Sequence, residues 1–155
     1  MPGKPLALGL CMFVLAVSGI HAIGVSFLVL ETGLPQGSAT SLYSTAWENG
    51  LMEVFFESGH IVSNASRIRL LDTVATEGLP PEAERDYEDA RIGGMDYFLV
   101  AIVDHPSHDV SLRLFSTRSG NMIAEKTYTG RPVWNTREEQ ENIRRAVREI
   151  AVFLR

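Results

Sequence analysis

Cysteine is nearly absent: the 155 residues contain one, Cys11. A single thiol excludes an internal disulfide framework and every cysteine-rich zinc module. Positive charge is also short, with 14 lysines and arginines against 19 acidic residues, a net −5. That balance and a pI near 5.3 leave no basic footprint for nucleic acid. Only two of the basic residues, Lys4 and Lys126, are lysines, a skew that reads as genomic bias rather than a binding device. No G-x-S-x-G elbow, no G-x-G-x-x-G after a strand and no phosphate-binding loop with a lysine occurs. Internal repeats and low-complexity tracts are missing too. What remains is 45% hydrophobic and 21% charged, enough apolar content for one domain with a core and too much for a disordered chain.

The chain opens MPGKPLALGLCMFVLAVSGIHAIG. Lys4, an uncharged run from Leu6 to Ile20 and the small residues Ser18, Gly19 and Ala22 lay out a secretory signal peptide. Cleavage after Ala22 fits best and cleavage after Gly19 is the runner-up. Two other readings stay open. Leu6 to Leu30 is long enough to span a membrane as a retained anchor, although Gly19, His21 and Gly24 interrupt it. Lipidation at Cys11 is the third, against which stand the short apolar run ahead of it and the absence of a small residue just before it. The expected division is a signal segment over 1–22 and a single α/β domain over 23–155, placed in the periplasm or cell envelope. Contact with a membrane then requires that the first segment be kept. Without it the domain has no cysteine, which suits an oxidising compartment, and carries 13 basic against 19 acidic residues.

Hydrophobic periodicity gives the order β-α-β-α-β-β-β-α, an α/β (α+β) mixed sheet with about three packed helices. VSFLVLE reads as the first strand. Ser38 or Thr40 caps a helix to about Ser58, with Leu42, Ala46, Leu51, Val54 and Phe55 on its apolar stripe, Trp47 beside it in the core, and Gly59 as its stop. His60–Asn64 reads as a short buried strand. Between Ser66 and Pro81 no period is clear, and a strand continuation, a short helix around Arg69 to Val74 and a loop are the options. Glu82–Ile92 reads as a largely solvated helix, with Ala83, Tyr87 and Ala90 as a narrow apolar stripe, ending at Gly93-Gly94. Asp96–Val103 is the strongest strand, covered on both sides. Val110–Leu114 alternates, so one face is expected buried and the other wet. Ser119-Gly120-Asn121 turns the chain into a return strand, Met122–Thr129. Thr136 and Glu139 form a capping box for a last helix carrying Ile143, Val147, Ile150, Ala151 and Leu154.

Three stretches in this order, FFESGHIVSNA, ARIGGMDYFLVAIVD and VSLRLFSTRSGNMIAEKTYTG, resemble a bacterial envelope domain family. Its members include the TolB amino-terminal domain, the curli-secretion channel lipoprotein, the flagellar outer-membrane protein FlgO and the lipoprotein activator of penicillin-binding proteins. The resemblance spans about residues 25 to 155. It departs at Met95, where the family has a small residue before Asp-Tyr, and in the lipidated cysteine that family lipoproteins carry after the leader. It implies a non-enzymatic module of an envelope or flagellar complex that binds other envelope proteins or assembles with itself.

Candidate chemistry is thin. Asp104, His105, His108 and Asp109 are the one group of metal-capable residues close in sequence, yet Pro106 and Ser107 make a solvated hairpin turn the plainer account. No catalytic residue and no cofactor is read, and a metal-dependent or hydrolytic enzyme using the Asp104–Asp109 loop is the alternative. His60 reads as the start of a strand rather than a base. Glu138, Glu139 and Glu141 with Arg144, Arg145 and Arg148 read as a solvated helix face with internal pairs. Trp134 is either a lid over the sheet or an anchor in an interface, and Tyr128, Arg131 and Trp134 form the candidate partner patch.

Overall fold

The run Gly24–Thr32 is rich in β-branched and large apolar side chains, with no proline and no glycine after Gly24, and it forms β1, buried along its whole length. The computed structural model describes residues 22–35, 37–39, 41–71, 74, 77–130 and 136–154. After β1 come helix α1 (Leu42–Glu57), β2 (Ile61–Asn64), β3 (Ile68–Arg69), a single 3-10 turn (Pro81–Ala83) and α2 (Glu84–Ile92). Then follow β4 (Tyr97–Asp104), β5 (Asp109–Ser116), β6 (Met122–Thr129) and α3 (Thr136–Ala151). One mixed sheet runs β2-β1-β4-β5-β6, and the two-residue β3 pairs with β1 beyond the end of β2.

β1 and β4 lie parallel, in register from Val25↔Tyr97 to Thr32↔Asp104. Parallel strands need cover on both faces, which is why both read as near-continuous apolar runs. Side-chain alternation divides their residues between two cores. Val25, Phe27, Val29, Leu99, Ala101 and Val103 face α1 and α3, packing with Trp47, Leu51, Phe55, Ile143 and Ile150. Leu28, Leu30, Phe98, Val100 and Ile102 face the other way, under Ala83, Tyr87 and Ala90 of the 3-10 turn and α2. The chain therefore leaves β1 over one face to reach β2 and returns over the opposite face to reach β4.

Several expectations are corrected. Ser41, not Ser38, caps α1, accepting a bond from the Ser44 amide at 3.3 Å, while the Ser38 hydroxyl turns back to the Pro35 carbonyl; Thr40 lies outside the described residues. Gly59 does end α1, with φ +80° in the left-handed region that glycine adopts without strain. β2 starts at Ile61 and is a half-exposed edge strand rather than a buried one, because β1 is its only neighbour in the sheet. Arg69 starts no helix: it sits in β3, where the Leu70 amide donates to the Glu31 carbonyl at 2.8 Å. β5 has no wholly wet face, since Arg113 is 5% exposed beneath Glu125 and the Gly78 carbonyl. The charges of α3 do not pair only along the helix. Arg144 reaches Glu53 and Glu57 of α1 at 3.1 and 2.7 Å. Residues 1–21 and the side chain of Thr136 lie outside the described set. Among the described residues no helix is long and apolar enough to cross a membrane.

Candidate functional site

In an open sheet, the carboxyl ends of strands whose crossovers leave to opposite sides form a crevice, the usual place for a ligand. β1 and β4 are such a pair here, and their ends carry the densest polar cluster of the molecule. Glu31, 2% exposed, takes Arg67 at 3.4 Å and Arg69 at 3.2 Å. Arg67 also pairs with Glu48 and donates to Thr45 Oγ1 at 3.1 Å, so α1 is drawn into the cluster. Arg69 continues to the Ser38 carbonyl at 2.9 Å. A buried carboxylate is tolerated only when paired and hydrogen-bonded, and the two guanidinium groups on either side of Ile68 supply that. Arg69 lies in β3 and Arg67 directly precedes it, and extended-chain alternation puts both on one side and Ile68 on the other.

The Asp104–Asp109 turn joins this cluster at one residue. His105 Nε2 stands 3.1 Å from Ser44 Oγ and 3.7 Å from Glu31 Oε1. Burial pushes the imidazole below its ordinary 6.5, with Glu31 only partly opposing, so the ring is uncharged at neutral pH. A serine, a histidine and a glutamate in contact invite comparison with a hydrolytic triad, and the geometry is wrong for one. A triad sets hydroxyl and carboxylate on opposite ring nitrogens, whereas both face Nε2 here. Ser44 is fully buried, so no substrate carbonyl reaches it. The cluster is a clamp tying together β1, β3, α1 and the β4–β5 turn.

The other residues of the turn are spent separately. Asp104 accepts from Thr32 Oγ1 at 3.0 Å and Ser107 Oγ at 2.5 Å, and these bonds hold its carboxyl below the usual range. His108, with φ +62°, offers its carbonyl to Tyr43 and sets its ring edge-on to that residue at 6.1 Å. Asp109 begins β5 opposite Thr129. Among the described residues no three His, Cys, Asp or Glu side chains converge on a point suited to a metal ion. Pro106 and Ser107 at the tip of the turn are exposed, while the His105 side chain is 12% exposed.

Of the candidate partner patch, Arg131 and Trp134 lie outside the described residues. Tyr128 is half-buried. Its ring packs on Trp47 at 6.0 Å and its hydroxyl donates to the Ala146 carbonyl at 2.9 Å, joining β6 to α3. Burial and the nearby Glu149 push that hydroxyl up to about 12. Trp47 is 2% exposed, in the core as expected.

Among the described residues the far edge of the sheet is uncovered. β6 is eight residues long and last in the strand order, with no described element beyond it. The Gly130 amide donates to the His108 carbonyl, so ladder alternation turns the backbone of Tyr128, Lys126 and Ala124 toward β5 and that of Thr129, Thr127 and Glu125 outward. Those three outward residues are exposed. The sequence did not say which strand lies at the edge of the sheet. It missed Glu31, Arg67, Arg69, Glu48 and Ser44, although a lone charge closing the VSFLVL run and the Arg-Ile-Arg alternation were signals.

No protein-family model matches the chain, and no curated protein matches it. Solved structures similar to it include the PelC dodecamer from Paraburkholderia phytofirmans, 16% identical, with a TM-score of 0.49 over 86% of this chain and 87% of that one. The LpoB C-terminal domain from Salmonella enterica is 15% identical, with a TM-score of 0.45 over 74% of this chain and 87% of that one. The lipoprotein GNA1162 from Neisseria meningitidis is 18% identical, with a TM-score of 0.45 over 81% of this chain and 96% of that one.

Proposed function

We propose that this chain is a non-enzymatic interaction module of the bacterial cell envelope, exported by the segment 1–22 and working through residues 23–155 as a component of an assembly. The observation that carries this reading is the edge of β6, regular from Ala124 to Thr129, which presents unpaired amides and carbonyls outward among the described residues. An edge of this kind is the template for strand addition by a partner, which takes its affinity from main-chain bonds. The crevice at the ends of β1 and β4, where a substrate would otherwise be expected, is occupied by the chain's own ion pairs. The signal-peptide layout and the acidic, cysteine-free remainder support a partner among exported proteins rather than nucleic acids.

A photo-crosslinking residue at Thr127, installed in the full-length gene and illuminated in intact bacteria, tests this. Adducts of defined mass are expected from Thr127 and not from the exposed Glu88 on α2. Equal labelling at both positions, or none at Thr127, would reject the edge as an interaction surface. Intact-mass measurement of the exported product checks whether residues 1–22 have been removed.

A further inference from the structure

We infer that the partner at the β6 edge is a second copy of this chain, paired antiparallel about a two-fold axis through Thr127; this rests on the interaction reading above and names its occupant. The strand's charge pattern and its end at Thr129 select the arrangement. A register centred on Tyr128 or Thr129 pairs at most residues 127–129 of β6, whereas one centred on Thr127 pairs 125–129. When one edge strand pairs with itself about an axis perpendicular to the sheet, the residue on the axis faces its own copy. A register centred on Glu125 sets carboxylate against carboxylate, and one centred on Lys126 sets ammonium against ammonium. Like charges directly opposite each other are destabilising. Registers centred nearer the start of the strand meet the ladder irregularity between Leu114 and Phe115, where Ile123 is the extra residue and the edge is bent.

Centring on Thr127 removes every such conflict. Threonine faces threonine, a favourable cross-strand pair, and Glu125 faces the partner's Thr129. Lys126 faces the partner's Tyr128. Within one chain Glu149 receives Lys126 at 3.2 Å and lies 3.5 Å from the Tyr128 hydroxyl. Lys126 is thereby set between its own Glu149 and the partner's Glu149. The backbone agrees, since Glu125, Thr127 and Thr129 are the residues whose amides and carbonyls turn outward, so all the pairs they form are hydrogen-bonded ones. Glu125 is already held on its own chain by Arg113 at 2.7 Å, which fixes the side chain next to the new ladder. The result is one sheet continuous through two copies, with neither β6 edge left open.

Engineered disulfides read the register directly. In a Cys11→Ser background, Thr127→Cys puts two thiols on residues about 5.5 Å apart at Cα, inside the bridging range. Glu125→Cys puts its thiols four residues apart along the strands, about 14 Å, outside that range. Oxidation of the purified protein is expected to convert the Thr127→Cys form to a covalent dimer and to leave the Glu125→Cys form monomeric on a non-reducing gel. Sedimentation velocity of the unmodified chain is expected to show a dimer, and Thr127→Lys, which sets two ammonium groups on the axis, a monomer with unchanged circular dichroism. Equal crosslinking at both positions, or a dimer unaffected by Thr127→Lys, would overturn the register. A chain that stays monomeric while the Thr127 photo-crosslinker captures a different protein overturns self-pairing and leaves the interaction reading standing. If that crosslinker captures nothing, both fall.

Discussion

Glu31 ends a strand that is otherwise apolar or small, and a carboxylate there would be expelled if the rest of the chain did not meet it. The meeting is long-range: Arg67 and Arg69 arrive from more than thirty residues away, and His105 from farther still. That distance is why single-residue reading could flag His105 as part of a metal-capable loop and miss what it touches. The pH dependence of stability follows from its burial. Folded His105 takes up its proton at a lower pH than the same imidazole in the unfolded chain, ordinarily 6.5. The unfolded chain therefore binds more protons in that interval, and stability is kept above it and lost as pH falls through it. His60 is shifted in the same direction by its own burial. Thermal melts from pH 7.5 to 5.5 are expected to show a falling Tm, and His105→Gln, which keeps a polar group at the clamp without titrating, to flatten that fall. An unchanged slope in the variant would place the titration elsewhere.

At the scale of elements, the contact between α1 and α3 decides how the sheet's main face is covered. Gly50 is buried on α1, and a Cβ built there would stand 2.3 Å from Ile143 Cγ2. The two helices approach this closely only because the position has no side chain. Gly50→Ala is expected to force them apart and cost about 1–3 kcal/mol, the usual penalty for overpacking a filled core. Chemical denaturation measures it, and Gly50→Ala is expected to cost less in an Ile143→Ala chain, where Cγ2 is gone. A neutral Gly50→Ala would mean that the helices slide freely. The amphipathic stripe of α3 was legible in the sequence through Ile143, Val147 and Ile150. The glycine was not, because periodicity marks which face is apolar and says nothing of how near its neighbour lies.

For the whole molecule, cover is uneven across the sheet. β1 and β4 are shielded by helices on both faces, while β2 has one neighbouring strand and partial exposure, and β6 has one neighbouring strand and an open edge. Local opening costs least where few buried contacts must be broken. Hydrogen exchange followed by mass spectrometry should therefore show peptides over 24–32 and 97–104 as the slowest to exchange and 61–64 among the fastest. Equal rates in β2 and β4 would contradict this layering.

Local signals set the order of elements, the central strand covered on both sides, the Gly59 helix stop, the β5–β6 hairpin and the apolar stripe of the last helix. Each is written in a local period or a turn residue, and physics that acts within ten residues suffices to read it. The assembled sheet settled that the Asp104–Asp109 turn delivers one histidine to a buried ion clamp, that Arg144 belongs to α1 as much as to α3, and that β6 has no second neighbour among the described strands. Those outcomes depend on which strand lies beside which, and a strand's position in the sheet leaves no mark on its own period of two. The scarcity of cysteine and of positive charge thus excluded a disulfide framework and a basic footprint early, while the sheet order decided which edge stays unpaired among the described residues.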